Sequence, residues 1–174
     1  MLKNREIFVF LDFFVYLCST MIKNEVMTQE EKQLLMADLS AMLPYGVKIL
    51  HTGWDYDSDT DFDTVETLIG IDDRFIYTVW DKTGDREKHC LSVSNWKPYL
   101  RPMSSMTEEE KHKLLKFGAI TCLRNGEVID VSCVGFERHA DVQDYLNACH
   151  FDYRGLIPKG LAIAVTEENN PYKD

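Results

Sequence analysis

Several chemical signatures are missing from this chain. It has no GxSxG elbow, no HExxH pair and no glycine-rich phosphate-binding loop. The common motifs of serine hydrolysis, zinc proteolysis and nucleotide binding are therefore absent. It also has no CxxC. The five cysteines (Cys18, Cys90, Cys122, Cys133 and Cys149) are odd in number and dispersed. That argues against a disulfide framework and reads as reduced thiols in a cytoplasmic protein. Positive charge is scarce: 19 Lys and Arg stand against 29 Asp and Glu, a formal charge of −10. A field of that sign repels phosphate backbones, so direct nucleic-acid binding is not expected.

A long apolar run is missing as well. Lys3 and Arg5 precede an apolar stretch from Ile7 to Cys18 that is interrupted by Asp12. The stretch is too short to span a bilayer, so no membrane association is expected. Asp12 and the lack of a small-residue cleavage site set it apart from a secretory signal, and Leu17 before Cys18 does not fit a lipoprotein site. Residues 1–26 read either as an upstream extension, with translation starting at Met27 or Met21, or as a segment packed on the domain.

What is present suits one globular domain. Of 174 residues, 45% are hydrophobic and 28% charged, enough for a real core. The expected organisation is a single α+β domain over residues 27–165, followed by a frayed polar tail over 166–174. Thr28-Gln29-Glu30-Glu31 is a capping box, and Leu35, Leu39 and Met42 follow at helical spacing until Pro44 and Gly46. Thr107 to Glu110 is a second box, opening a helix through Leu114 and Leu115. The two boxes share a Met-Thr start and a following lysine, which reads as convergent capping. A third helix is expected from Ala140 to Cys149.

Strand character appears at Val47 to Leu50, at Val65 to Ile71, at Phe75 to Trp80 and at Lys88 to Val93, separated by polar turns. This pattern predicts an antiparallel β-meander with about three amphipathic helices packed on it. Asn125-Gly126 marks a tight hairpin. The segment from Trp96 to Pro102 carries two prolines and reads as irregular or extended.

The acidity is concentrated. Residues 55–87 hold eleven acids against Arg74, Lys82 and Arg86. Within them, Asp55, Asp57, Asp59, Asp63 and Glu66 fall at positions 1, 3, 5, 9 and 12 of an EF-hand calcium loop, and Thr60 stands where that loop turns on glycine. Hard oxygen ligands at this spacing make calcium, then magnesium, the cofactor to test; the bland alternative is a solvated acidic connection between strands. Two Cys–His neighbours, His89-Cys90 and Cys149-His150, suggest zinc at first sight. Neighbours on a strand point to opposite faces, so one pair does not supply two ligands to one ion.

The stretch His150-Phe151-Asp152-Tyr153-Arg154 is dense in aromatic and charged residues, the composition of an interaction hot spot and equally of a packed corner after a helix. It belongs to one of two motifs with a familiar look. The first is Lys97-Pro98-Tyr99-Leu100-Arg101-Pro102-Met103-Ser104-Ser105-Met106-Thr107-Glu108-Glu109-Glu110. The second runs from Asp144-Tyr145-Leu146 through His150-Phe151-Asp152-Tyr153-Arg154-Gly155-Leu156-Ile157 to Gly160-Leu161-Ala162. Together they resemble small uncharacterised proteins of Bacteroides-type bacteria and of their prophages or other mobile elements. Cys149 stands where a second histidine would be expected beside His150. The resemblance brings a setting and no activity.

The expected function is a non-enzymatic intracellular binding or regulatory module of a phage or mobile element. It would act through a protein partner, with His150, Phe151, Asp152, Tyr153, Arg154, Tyr99 and Arg101 as the candidate surface. The alternatives are a calcium- or magnesium-binding protein or carboxylate-using enzyme centred on Asp55 to Glu66, and an acidic anti-defence factor that imitates nucleic acid.

Overall fold

The structure is a computed structural model. It describes residues 27–55, 59–91, 95–133 and 139–173, the side chains of Trp54, Asp55 and Cys133 excepted. Residues 1–26, Asp57 and the side chain of Asp55 therefore lie outside what is described.

Helix α1 spans Gln29–Met42, and its capping box forms as the sequence dictates. Thr28 Oγ1 accepts from the Glu31 amide at 3.2 Å, and the Glu31 carboxylate accepts from the Thr28 amide at 2.8 Å. A 3₁₀ turn over Leu43–Tyr45 follows and is closed by Gly46. The chain then lays down β1 (Lys48–Asp55), β2 (Thr60–Ile71), β3 (Phe75–Trp80) and β4 (Arg86–Cys90). Consecutive pairs among these four are antiparallel, which is the expected meander.

The sheet does not end there. Strand β5 (Trp96–Leu100) docks antiparallel on the free edge of β1, and β8 (Ile163–Ala164) adds parallel to β5. The order is β4-β3-β2-β1-β5-β8, a mixed six-stranded sheet where a pure meander was expected. Pro98 is accommodated because β8 pairs only with Tyr99 and Leu100, so the missing amide interrupts no ladder to β8.

A second substructure follows. A 3₁₀ turn (Met103–Ser105) leads into α2 (Glu108–Lys116), capped by Thr107 and Glu110 in the second capping box. Strands β6 (Ala119–Arg124) and β7 (Glu127–Cys133) form a hairpin on Asn125-Gly126, both with positive φ as a type I′ turn requires. Helix α3 spans His139–Ala148. With three helices and mostly antiparallel sheets, the class is α+β.

Two apolar clusters hold these parts. The first joins Leu35, Leu39 and Met42 of α1 to Ile49, Leu68, Ile76, Leu91, Trp96 and Leu100 on one face of the sheet, here called the inner face. Each such fully buried side chain stabilises the fold by about 2 kcal/mol. The second joins Met103, Met106, Leu114, Ala119, Val128, Val142, Leu146 and Phe151.

The polar tail is pinned. Tyr172 Oη accepts from the Lys48 amide at 3.1 Å and donates to the Tyr99 carbonyl at 2.8 Å, bridging β1 and β5. Its ring stacks on His150 at 4.3 Å. Fraying is opposed because one aromatic residue near the end supplies both the hydrogen bonds and the apolar area. Among the described residues, no helix is long and apolar enough to cross a membrane.

Candidate metal centre

The inner face of the sheet is apolar except at one place. Strand periodicity puts Ile49 and His51 of β1, Glu66 and Leu68 of β2, Ile76 and Thr78 of β3, and His89 and Leu91 on this face. Beside the row packed under α1, five polar side chains from four strands meet: His51, Thr64, Glu66, Thr78 and His89.

Glu66 is the hub. Its side chain is 3% exposed and accepts four hydrogen bonds. Oε1 receives His51 Nδ1 at 3.2 Å and Thr64 Oγ1 at 3.0 Å. Oε2 receives His89 Nε2 at 2.8 Å and the Thr78 hydroxyl. Thr78 Oγ1 also lies 3.1 Å from His89 Nε2. The His51 and His89 ring centroids are 4.2 Å apart. The two imidazole side chains are 16% and 6% exposed, so the cluster is nearly closed to water.

The site has walls. Gly53 pairs with Phe62 across β1 and β2, and a Cβ at Gly53 would meet the Phe62 ring at 2.4 Å. The absent side chain lets that ring lie over the strand, where it meets the His51 ring edge-on at 5.4 Å. On the other side, Asn95 Nδ2 stands 3.2 Å from His51 Nε2, and Trp96 is paired with His51 across β1 and β5.

Electrostatics set the protonation. Burial raises the Glu66 carboxyl, but the hydrogen bonds from Thr78 and His89, the His89 charge and the Thr64 hydroxyl outweigh it and hold the acid below its ordinary value. Burial, and then the neighbouring His89, push the His51 imidazole below its ordinary value against the pull of Glu66. An ionised carboxylate beside a neutral imidazole is the state in which these groups ligate metal. The ligating atoms of His51, Glu66 and His89 all lie within 4.8 Å of one another. Ligands of a tetrahedral ion bound at ~2.1 Å stand about 3.4 Å apart, so the 3.2 and 2.8 Å contacts of Glu66 with His51 and His89 would open slightly and the wider separations, none over 4.8 Å, would close.

The residues singled out from sequence fall in different places. Glu66 is in the centre, with partners the acidic spacing did not name. Asp63 is exposed, and alternation along β2 puts it on the opposite face from Glu66. Asp59 is exposed in the turn before β2. The described residues thus do not bring Asp59 and Asp63 together with Glu66. His89 enters the centre without Cys90, its neighbour on the strand. His51 was not singled out; its one sequence signal is a lone histidine next to the apolar Val47 to Leu50 run.

The aromatic corner is woven into the fold. Phe151 is fully buried under the Arg101 guanidinium, 4.2 Å from its ring centroid. Arg101 makes a two-pronged pair with Glu110 at 2.7 and 3.0 Å. The Asp152 carboxylate accepts the amides of Leu156 and Ile157 at 2.7 and 2.8 Å. His150 lies 3.0 Å from the Tyr45 carbonyl, and Tyr99 is buried in β5. Tyr153 and Arg154 are half-buried, joined by a 3.2 Å contact from Arg154 Nε to Tyr153 Oη.

Comparison with known proteins gave no match to a family model, to a curated protein or to a solved structure.

Proposed function

We propose that this protein binds one divalent transition-metal ion through His51, Glu66 and His89. The observation that carries the reading is the convergence of two imidazoles and one buried carboxylate, from three strands of one sheet face. Two nitrogens and a carboxylate suit zinc, iron(II), cobalt or nickel better than calcium or magnesium, which take oxygen ligands. Three protein ligands leave coordination positions open, and the Thr78 hydroxyl lies beside them. The ion would tie β1, β2 and β4 together at the edge of the apolar core.

Cobalt(II) tests this directly. One equivalent added to the metal-free protein gives the visible absorption of a low-coordinate nitrogen–oxygen site, and His89→Gln and Glu66→Gln abolish it. An unchanged spectrum in both variants, or none in the wild type, would sink the reading.

A second reading keeps the protein-partner module in a phage or mobile-element setting, and one observation favours it. Four of the five large apolar side chains exposed among the described residues, Leu115, Ile120, Leu123 and Ile129, lie on α2 and the β6–β7 hairpin. Exposed apolar side chains gathered in one substructure favour a partner there. Ile120→Ser with Ile129→Ser should release a partner captured by the wild-type chain, while retention of that partner would count against this surface.

A further inference from the structure

Resting on the reading of His51, Glu66 and His89 as ligands, we infer that Asn95 is the residue that positions His51 for the ion, by reversing its side-chain amide when the ion binds. An ionised carboxylate only accepts, so the nitrogens that face Glu66 must both carry hydrogen: Nδ1 of His51 at 3.2 Å and Nε2 of His89 at 2.8 Å. These are the atoms that must ligate, and without an ion their lone pairs are not available.

In this arrangement His51 Nε2 is bare. It faces Asn95 Nδ2 at 3.2 Å, and the amide donates to it. For an ion to bind at Nδ1, the imidazole proton must sit on Nε2 instead, and the group opposite must then accept. Asn is the side chain that meets both demands at one position, because half a turn of its amide exchanges Nδ2 for Oδ1. Aspartate would only accept, and leucine would do neither.

The backbone of Asn95 is held for this task. Its carbonyl accepts from the Thr52 amide at 2.8 Å and lies 3.2 Å from the Thr52 hydroxyl, next to His51 in β1. Trp96, the following residue, is buried and donates from Nε1 to the Cys90 carbonyl at 3.1 Å. The chain is fixed at the pivot and at the residue that follows it. Partners of this kind, on the far nitrogen of a metal-binding histidine, set its tautomer and its basicity.

The test titrates zinc into wild type, Asn95→Leu and Asn95→Asp at pH 8, in competition with a chelator. Histidine tautomers are read in parallel by long-range nitrogen–proton NMR. The wild type should take one zinc, with the His51 proton moving from Nδ1 to Nε2. Asn95→Leu should bind about 10- to 100-fold more weakly at unchanged stoichiometry. Asn95→Asp should bind at least as tightly as the wild type and show hydrogen on Nε2 of His51 before zinc is added, with Nδ1 still donating to Glu66. Equal affinity in all three proteins, or a His51 proton that stays on Nδ1 when zinc is bound, would overturn the role of Asn95 while leaving the metal centre intact. Absence of zinc binding by the folded wild type would overturn both.

Discussion

Glu66 and Asp38 are buried acids on elements that pack against each other, and the chain treats them in opposite ways. Glu66 sits on a strand, where Thr64 of the same strand, His51 of β1, Thr78 of β3 and His89 of β4 deliver two hydroxyls and two imidazoles to one carboxylate. Asp38 sits on α1 among Leu35, Leu39 and Met42 and is fully buried. Arg154 Nε approaches its Oδ1 at 3.2 Å without the alignment of a hydrogen bond, so neither carboxylate oxygen has a hydrogen-bond partner. Burial raises Asp38 to about 7, with Arg154 opposing and Asp152 adding to the rise. Glu66 is held below its ordinary value despite its burial. The contrast separates burial from solvation. What decides the charge of a buried acid is the supply of donors, and a sheet face supplies them where a helix stripe does not.

The largest expected effect comes from removing the hub. Glu66→Ala takes their shared acceptor from two imidazoles and two hydroxyls in a nearly dry place. It should cost about 4 kcal/mol in denaturant unfolding of the metal-free protein. A loss under about 1 kcal/mol would mean that the cluster is not closed as described.

Next comes Asp38, where the sign is opposite. Its folded value lies above the unfolded one near 4, so its contribution is fully present below pH 4 and is lost as the pH rises through about 7. Wild-type stability should fall across that window relative to Asp38→Asn. The variant should be more stable at pH 8 by about 3 kcal/mol and show little difference at pH 4. Parallel pH profiles for the two proteins would show that Arg154 neutralises the acid fully.

Smaller changes sharpen the comparison. Thr78→Val removes one of the four donors to Glu66 and should cost about 1 kcal/mol while moving the Glu66 titration upward by carbon-detected NMR. An unmoved titration would mean that the hydroxyl bond does not hold the acid down. Gly53→Ala forces the Phe62 ring off the strand. The ring is the far end of a movable side chain, so the loss should be about 1 kcal/mol, with a changed ring-current shift on His51. A retained shift would mean that the ring does not wall the site.

How much of this was legible follows from which interactions are local. Thr28 with Glu31, Thr107 with Glu110 and Asn125-Gly126 are four- and two-residue signals, and each forms the element it announces. Strand β5 and its parallel partner β8 were not readable, because Pro98 masks the strand and two-residue pairing at Ile163 and Ala164 leaves no periodic trace. Glu66 stood out only as the last acid of a spaced series. Its working partners are His51, fifteen residues before it, and His89, twenty-three after it, and what joins them is register and sheet twist. Alternation along β2 puts the apolar Val65 and Ile69 on one face, yet it is Glu66 and Leu68, on the other, that are buried. The His150 to Arg154 corner was readable as important, and in the fold its residues bind the chain to itself.

One measurement bears most directly on the centre: thermal unfolding of the chelator-treated protein with one equivalent of zinc, and separately with millimolar calcium. The account predicts a rise in melting temperature with zinc that disappears in His51→Gln, and no rise with calcium. Stabilisation by calcium but not by zinc, or zinc stabilisation that survives in His51→Gln, would contradict it.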